Sequence, residues 1–197
     1  MNVFDTVIIG KGPSGISAAL YLARAKKNII VIGKDIGSLA KAEKIENYYG
    51  LETPLTGEEL ANRGIKQVTD LGVPVMNQEV TSIDMLYPGM NSESDLALQK
   101  GAAYSITTPS EIYMAKTVLF ATGKQRTALK VPGFSEYRGK GISFCAVCDG
   151  FFYRNKTVGI VGNGMYGVTE LAHLFELTKD ITFFTNGLPL DPEAAKL

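Results

Sequence analysis

The residues best suited to chemistry are the chain's two cysteines, in Cys145-Ala146-Val147-Cys148-Asp149-Gly150. Sulfurs at this spacing can close a small disulfide ring, and a neighbouring positive field can depress one thiol so that it attacks as thiolate. Asp149 follows directly, placed to donate or accept the proton that a departing thiol requires; a simpler role is capping a turn with Gly150. Two other readings of the pair stay open at this level. Zinc needs four ligands, and the single histidine, His173, is distant in the chain, so the remaining ligands would come from another chain. The other reading is two buried, inert thiols. His173 itself reads as solvated surface.

Two glycine loops come next. Val7-Ile8-Ile9 runs into Gly10-Lys11-Gly12-Pro13-Ser14-Gly15, a strand closed by G-x-G-x-x-G. Ile16, Ala19, Leu20 and Ala23 then fall on one helical face, and Ile29 to Ile32 reads as the second strand of a βαβ unit. In such a unit the first glycine permits the turn, the second lets backbone approach a pyrophosphate, and the third lets helix and strand pack closely. The helix N-terminus offers N–H groups to the phosphates. An acid should end the second strand to hold a ribose. Gly33 and Lys34 stand there instead, and Asp35 just beyond is either a substitute or an ordinary loop aspartate.

The pattern recurs in the second half. Val158 to Val161 leads into Gly162-Asn163-Gly164-Met165-Tyr166-Gly167, with Val168, Leu171, Ala172 and Phe175 at helical spacing and Ile181 to Phe184 as the next strand. Two copies so far apart predict two tandem Rossmann-like, doubly wound α/β domains, over 1–123 and 124–197. The second is expected to be incomplete, because little chain follows Phe184. Between the copies, Thr56-Gly57-Glu58-Glu59 is a capping box opening a helix with Leu60, Gly64, Val68 and Leu71 inward and Gly72 as its stop. Glu79 to Asp84, Tyr104 to Thr107, Glu111 to Met114 and Lys116 to Ala121 read as strands of a β-meander. Tyr87 to Gly101 reads as a flexible excursion, and Lys124 to Gly133 as a connector.

Composition narrows the class. Twenty basic residues balance twenty acidic ones, which argues against a nucleic-acid partner. With 45% hydrophobic residues the chain can build a core. No apolar run reaches a membrane span and no secretory signal is evident, so no membrane partner is expected and the cytoplasm is the expected location.

Together, Gly10 to Gly15, Ala18-Ala19-Leu20-Tyr21, Ile45-Glu46-Asn47-Tyr48-Tyr49-Gly50, Ala121-Thr122-Gly123 and Cys145-Ala146-Val147-Cys148-Asp149 resemble the low-molecular-weight thioredoxin reductase family of flavoproteins. The likeness spans nearly the whole chain. It implies FAD held by Gly10, Gly12, Pro13, Ser14 and Gly15, with Asn47 on the flavin side and the Val80 backbone near the adenine. Ala121, Thr122 and Gly123 complete that cofactor set, with Asp35 at the ribose. It implies a Cys145–Cys148 disulfide that takes electrons from FAD and passes them to thioredoxin, with Asp149 as the acid. A homodimer is also usual in the family.

Three departures qualify the resemblance. Family members are longer and end in a second FAD segment, which this chain lacks, so it is expected to be truncated. The NADPH-dependent branch carries a His-Arg-Arg cluster after the strand where this chain has Phe184-Thr185-Asn186-Gly187. Gly167, in the second dinucleotide-type motif with Gly162 and Gly164, stands where that branch usually has Ala. The last two speak against NADPH and resemble the ferredoxin-dependent flavin thioredoxin reductases, making ferredoxin the expected donor. The alternatives are an NADPH-dependent reductase, a non-catalytic flavoprotein fragment, and a C-x-x-C electron shuttle without flavin.

Overall fold

The computed structural model describes residues 2–124 and 129–196. Two compact units, over 1–127 and 128–197, are taken in turn.

The first unit is built on a six-stranded sheet. Its elements in chain order are β1 (Val3–Ile9), α1 (Pro13–Arg24), β2 (Ile29–Ile32), α2 (Gly57–Asp70), β3 (Val75–Met76), β4 (Ser82–Met85), α3 (Ser92–Gln99), β5 (Tyr104–Thr107) and β6 (Ile112–Phe120). The strand order is β3-β2-β1-β6-β5-β4, parallel from β3 to β6 and antiparallel from β6 to β4. The β-branched run of β2 is buried throughout, as a central parallel strand requires. Successive side chains alternate between the faces. Ile30 and Ile32 join Val7, Ile9 and Ile106 on one face, while Ile29 and Val31 join Ile8, Ile16, Ala19 and Val68 beneath α1 and α2.

α2 starts as its sequence predicts. The Thr56 hydroxyl accepts the Glu59 N–H, and the Glu59 carboxylate accepts the Thr56 N–H. Gly72, at φ +82°, lies just past its end. Of the face expected inside, Val68 is buried and Leu60 and Gly64 are half-buried, whereas Leu71, at the C-cap, is exposed; Ala61 is buried as well.

Three expectations need correction. The two strands read as Glu111–Met114 and Lys116–Ala121 are one strand, β6. Ala115, where the hydrophobic pattern breaks, is fully buried and registers with Tyr104 on one side and Phe4 on the other. Both neighbours' ladders need the chain to continue there. The strand placed at Glu79–Asp84 is the shorter β4, and the two-residue β3 escaped prediction. Tyr87–Gly101 is no flexible excursion but contains α3: Asn91 Oδ1 accepts the Ser94 N–H at 2.7 Å, and Ala97 is buried with Leu86, Ala102 and Met114. A single turn of apolar burial outweighs the polar composition.

The second unit holds α4 (Phe134–Tyr137), α5 (Ala146–Asp149), a 3-10 turn (Gly150–Tyr153), β7 (Val158–Val161), α6 (Met165–Phe175) and β8 (Ile181–Phe184). β7 and β8 pair in parallel around α6, a βαβ unit at the predicted positions. The buried face of α6 is carried by Gly167 and Leu174, with Leu171 partly buried; Ala172 and Phe175, expected inside, are exposed. Among the described residues, no helix is long and apolar enough to cross a membrane.

Candidate active site

In the first unit, three glycines of one motif do different work. Gly10 donates its N–H to Ile32 at 2.7 Å and has φ +110°, and a Cβ there would lie 2.2 Å from the Ala121 carbonyl oxygen. A Cβ on Gly15 would lie 1.9 Å from the Gly10 oxygen. The chain's own packing therefore demands both glycines. Gly12 is different: a Cβ there would meet only the Ile36 oxygen, at an ordinary 3.8 Å. The backbone at Gly12 is therefore open to close approach, which is what a pyrophosphate would use. Gly12 is also the N-cap of α1, Pro13 opens the helix, no side chain caps it, and Ser14 is exposed. The N–H groups of this first turn are thus available to an anion.

Ala121 joins the cradle directly, donating its N–H to the Ile9 carbonyl at 2.8 Å, with Thr122 and Gly123 (φ +70°) following. The other expected cofactor residues are less closely tied. Asp35 accepts the Gly37 N–H at 2.8 Å, the turn-forming role of a loop aspartate. Asn47 is exposed on the loop before α2, and Val80 is half-buried against the Val7–Ile9 cluster. Sequence reasoning missed Lys11, which is buried and donates from Nζ to Asn77 Oδ1. Lys11 also lies against Gly33 at the end of β2. A Cβ on Gly33 would lie 2.8 Å from Lys11 N and 2.9 Å from Lys11 Cγ, so no side chain fits there.

In the second unit, Cys145 and Cys148 form a disulfide with Cα atoms 5.3 Å apart. Cys145 is the N-cap of α5, and its Sγ accepts the Cys148 N–H at 3.2 Å. Cys145 is half-buried and Cys148 exposed, unlike a pair of inert core thiols. Among the described residues no three His, Cys, Asp or Glu side chains cluster to hold a metal. Asp149 is brought to the pair by Ser143. The Ser143 hydroxyl donates to Asp149 Oδ2 at 2.5 Å and accepts the Cys145 N–H at 3.1 Å. Burial, with Asp149's negative charge as the lesser cause, pushes the Tyr153 hydroxyl above its usual range. A cavity of about 180 Å³ beside Cys145 is lined by Ser143, Tyr153, Tyr166, Glu170 and Leu174. His173 is exposed on α6, as expected.

The second glycine loop repeats the division of labour. Gly162 donates to the Phe184 carbonyl at 2.9 Å, and Gly164 has open space where a Cβ would stand. A Cβ on Gly167 would come within 2.9 Å of the Phe183 ring. A side chain at Gly167 would thus require the Phe183 ring on β8 to shift. Beyond β8, Thr185, Asn186 and Gly187 line a hollow with Leu129, Lys130 and Val131. Lys130 is a cation that reading along the strand alone did not find.

The chain thus combines two nucleotide-type βαβ units, one in each compact unit, with a partly exposed C-x-x-C disulfide in the second. Residues 4–190 match the family described as pyridine nucleotide-disulphide oxidoreductase, and the chain belongs to that family. Its similar relatives there are thioredoxin reductases. That of Ureaplasma parvum serovar 3 is 34% identical over 187 residues, 94% of this chain and 56% of the relative. That of Treponema pallidum is 35% identical, over 91% of this chain and 54% of its own length. The chain thus spans about half the length of these relatives. Among solved structures, thioredoxin reductase from Streptococcus pyogenes MGAS5005 superimposes with a TM-score of 0.80 at 32% identity, covering 98% of this chain and 60% of that one.

Proposed function

We propose that this chain supplies the cofactor cradle and the redox disulfide of an FAD-dependent reductase acting on thioredoxin or a similar dithiol protein. The observation that carries the reading is the Cys145–Cys148 disulfide with the Asp149 carboxylate held beside it through Ser143. Gly10, Gly12 and Gly15, with Ala121, Thr122 and Gly123 next to them, fit a pyrophosphate because the backbone at Gly12 is open to close approach. Pro13 and Ser14 continue that loop; Asp35, Asn47 and Val80 are proposed for the rest of the cofactor on the family resemblance. FAD held there, once reduced by the electron donor, would supply the two electrons needed to open the disulfide. Two electrons and two protons then convert Cys145–Cys148 to two thiols. One sulfur attacks a partner disulfide as thiolate, the other closes the ring again, and the partner leaves as a dithiol. Asp149 holds the proton that the departing thiolate takes up. Asp149→Asn is expected to slow turnover roughly 10²–10⁴-fold with the disulfide still formed; steady-state rates beside a free-thiol count check this.

The domain boundary near residue 124 and the homodimer belong to the same proposal. For the electron donor we infer ferredoxin, supported by Thr185-Asn186-Gly187 at the end of β8, where a 2′-phosphate would want a guanidinium. Lys130 in the same hollow favours a second reading, in which NADPH is the donor and Gly162, Gly164 and Gly167 carry its pyrophosphate. Each missing charge-assisted contact costs roughly 10- to 150-fold in affinity. Anaerobic bleaching of the flavin in the whole protein separates the two. Reduced ferredoxin is expected to bleach it fully while micromolar NADPH does not. Full bleaching by micromolar NADPH, weakened in Lys130→Ala, would establish the second reading instead.

A further inference from the structure

Glu170 and Tyr166 lie one turn apart on one face of α6, and both reach the strip of chain that carries Cys145. The Tyr166 hydroxyl donates to the Phe144 carbonyl, and a Glu170 carboxylate oxygen accepts the Ala146 N–H. These two groups belong to the peptide units on either side of Cys145. The helix that follows the second glycine loop thus grips the redox segment at both of its flanks.

We propose that Glu170, with Tyr166 beside it, is a positioning residue for disulfide exchange: it holds the Cys145 segment in place and keeps the reduced Cys145 thiol protonated until a partner disulfide arrives. The proposal rests on the disulfide-reductase reading and adds a control element to it. A cysteine at a helix N-cap ordinarily gains acidity from the free N–H groups of the first turn. At Cys145 the Cys148 N–H does point at Sγ. The Ala146 N–H does not remain free for it, because Glu170 takes that donor and sets its carboxylate beside the Cys145 peptide units. Among the described residues, other charged or titratable groups around the segment include Asp149, held by Ser143, Tyr153 on the 3-10 turn, and two arginines set over aromatic rings. Arg138 lies 5.2 Å from the Phe144 ring centre and Arg154 lies 5.3 Å from that of Phe151. A dithiol whose thiolate is not specially stabilised holds its electrons weakly, and passing them on is what a reductase needs.

The test uses the 197-residue chain with Cys148→Ser, so that Cys145 carries the only thiol. Its ionisation is followed by thiolate absorbance and by the iodoacetamide rate across pH. Adding Glu170→Gln keeps a hydrogen-bond acceptor for Ala146 and removes the charge. It is expected to lower the midpoint by about one pH unit. Alkylation at neutral pH should rise roughly threefold, because the gain in thiolate is partly offset by weaker nucleophilicity. Glu170→Ala removes charge and bond together and should shift the midpoint in the same direction. An unchanged or raised midpoint in folded Glu170→Gln would overturn the proposal. The parent chain, equilibrated in glutathione buffers, tests the underlying reading separately. If its two cysteines do not cycle between disulfide and dithiol, the reductase reading fails along with the proposal; if they cycle and Glu170→Gln has no effect, only the role of Glu170 falls.

Discussion

Replacing either Cys145 or Cys148 by serine is expected to lower disulfide turnover of the whole protein by at least about 10⁴-fold, the scale of losing a nucleophile. The exchange needs one sulfur to attack and a second to release the partner, and a hydroxyl does neither at neutral pH. The two single variants should also trap the partner. Each retains one thiol that can form a mixed disulfide, with no neighbour to resolve it, so intact mass will show a covalent adduct under mild oxidation. Flavin binding should be unaffected, because the cysteines lie in the second unit and the Gly10–Gly15 cradle in the first. Normal turnover in the double serine variant would remove the disulfide from the mechanism.

The glycines of the first loop should separate sharply when each is changed to alanine. Gly15→Ala is expected to cost about 3 kcal/mol or more, since its methyl cannot fit against the chain's own backbone. The Gly10 oxygen lies 1.9 Å from that position, and backbone cannot swing aside as a flexible side chain can. Gly12→Ala should fold with stability within about 1 kcal/mol of the parent, the range of a changed N-cap. Its FAD affinity should nonetheless fall at least about tenfold, or about 1.4 kcal/mol. Thermal unfolding and flavin titration on both variants check the pair. Equal loss of flavin and stability in both would mean that Gly12 serves the fold and not a ligand.

What could be read from residue order and what could not follow a physical line. Both strand–glycine loop–helix units were legible, as were β2, β5, β7 and β8, because local periodicity and turn chemistry determine them. The cysteine pair was legible because its ring closes within one turn. Contacts between distant segments left no comparable trace. Nothing local joins Lys11 to Asn77, Glu170 to Ala146, or Lys130 to the end of β8. The neighbours of Gly33 and Gly167, Lys11 and the Phe183 ring, are likewise distant in the chain and leave no local signal. α3 was missed although its Asn91 cap was in plain view, because one small buried residue, Ala97, gives little hydrophobic pattern. The ferredoxin inference draws on Thr185-Asn186-Gly187 in particular, and Lys130 in the same hollow opposes it.

A cofactor held by the first glycine loop and the Cys145–Cys148 disulfide are expected to store electrons together. Anaerobic reductive titration of the FAD-loaded protein measures that directly. Full reduction should take about four electrons per flavin, two for the flavin and two for the disulfide, falling to about two in Cys148→Ser. Parent protein that is fully reduced by about two electrons per flavin, with the disulfide untouched, would contradict the account.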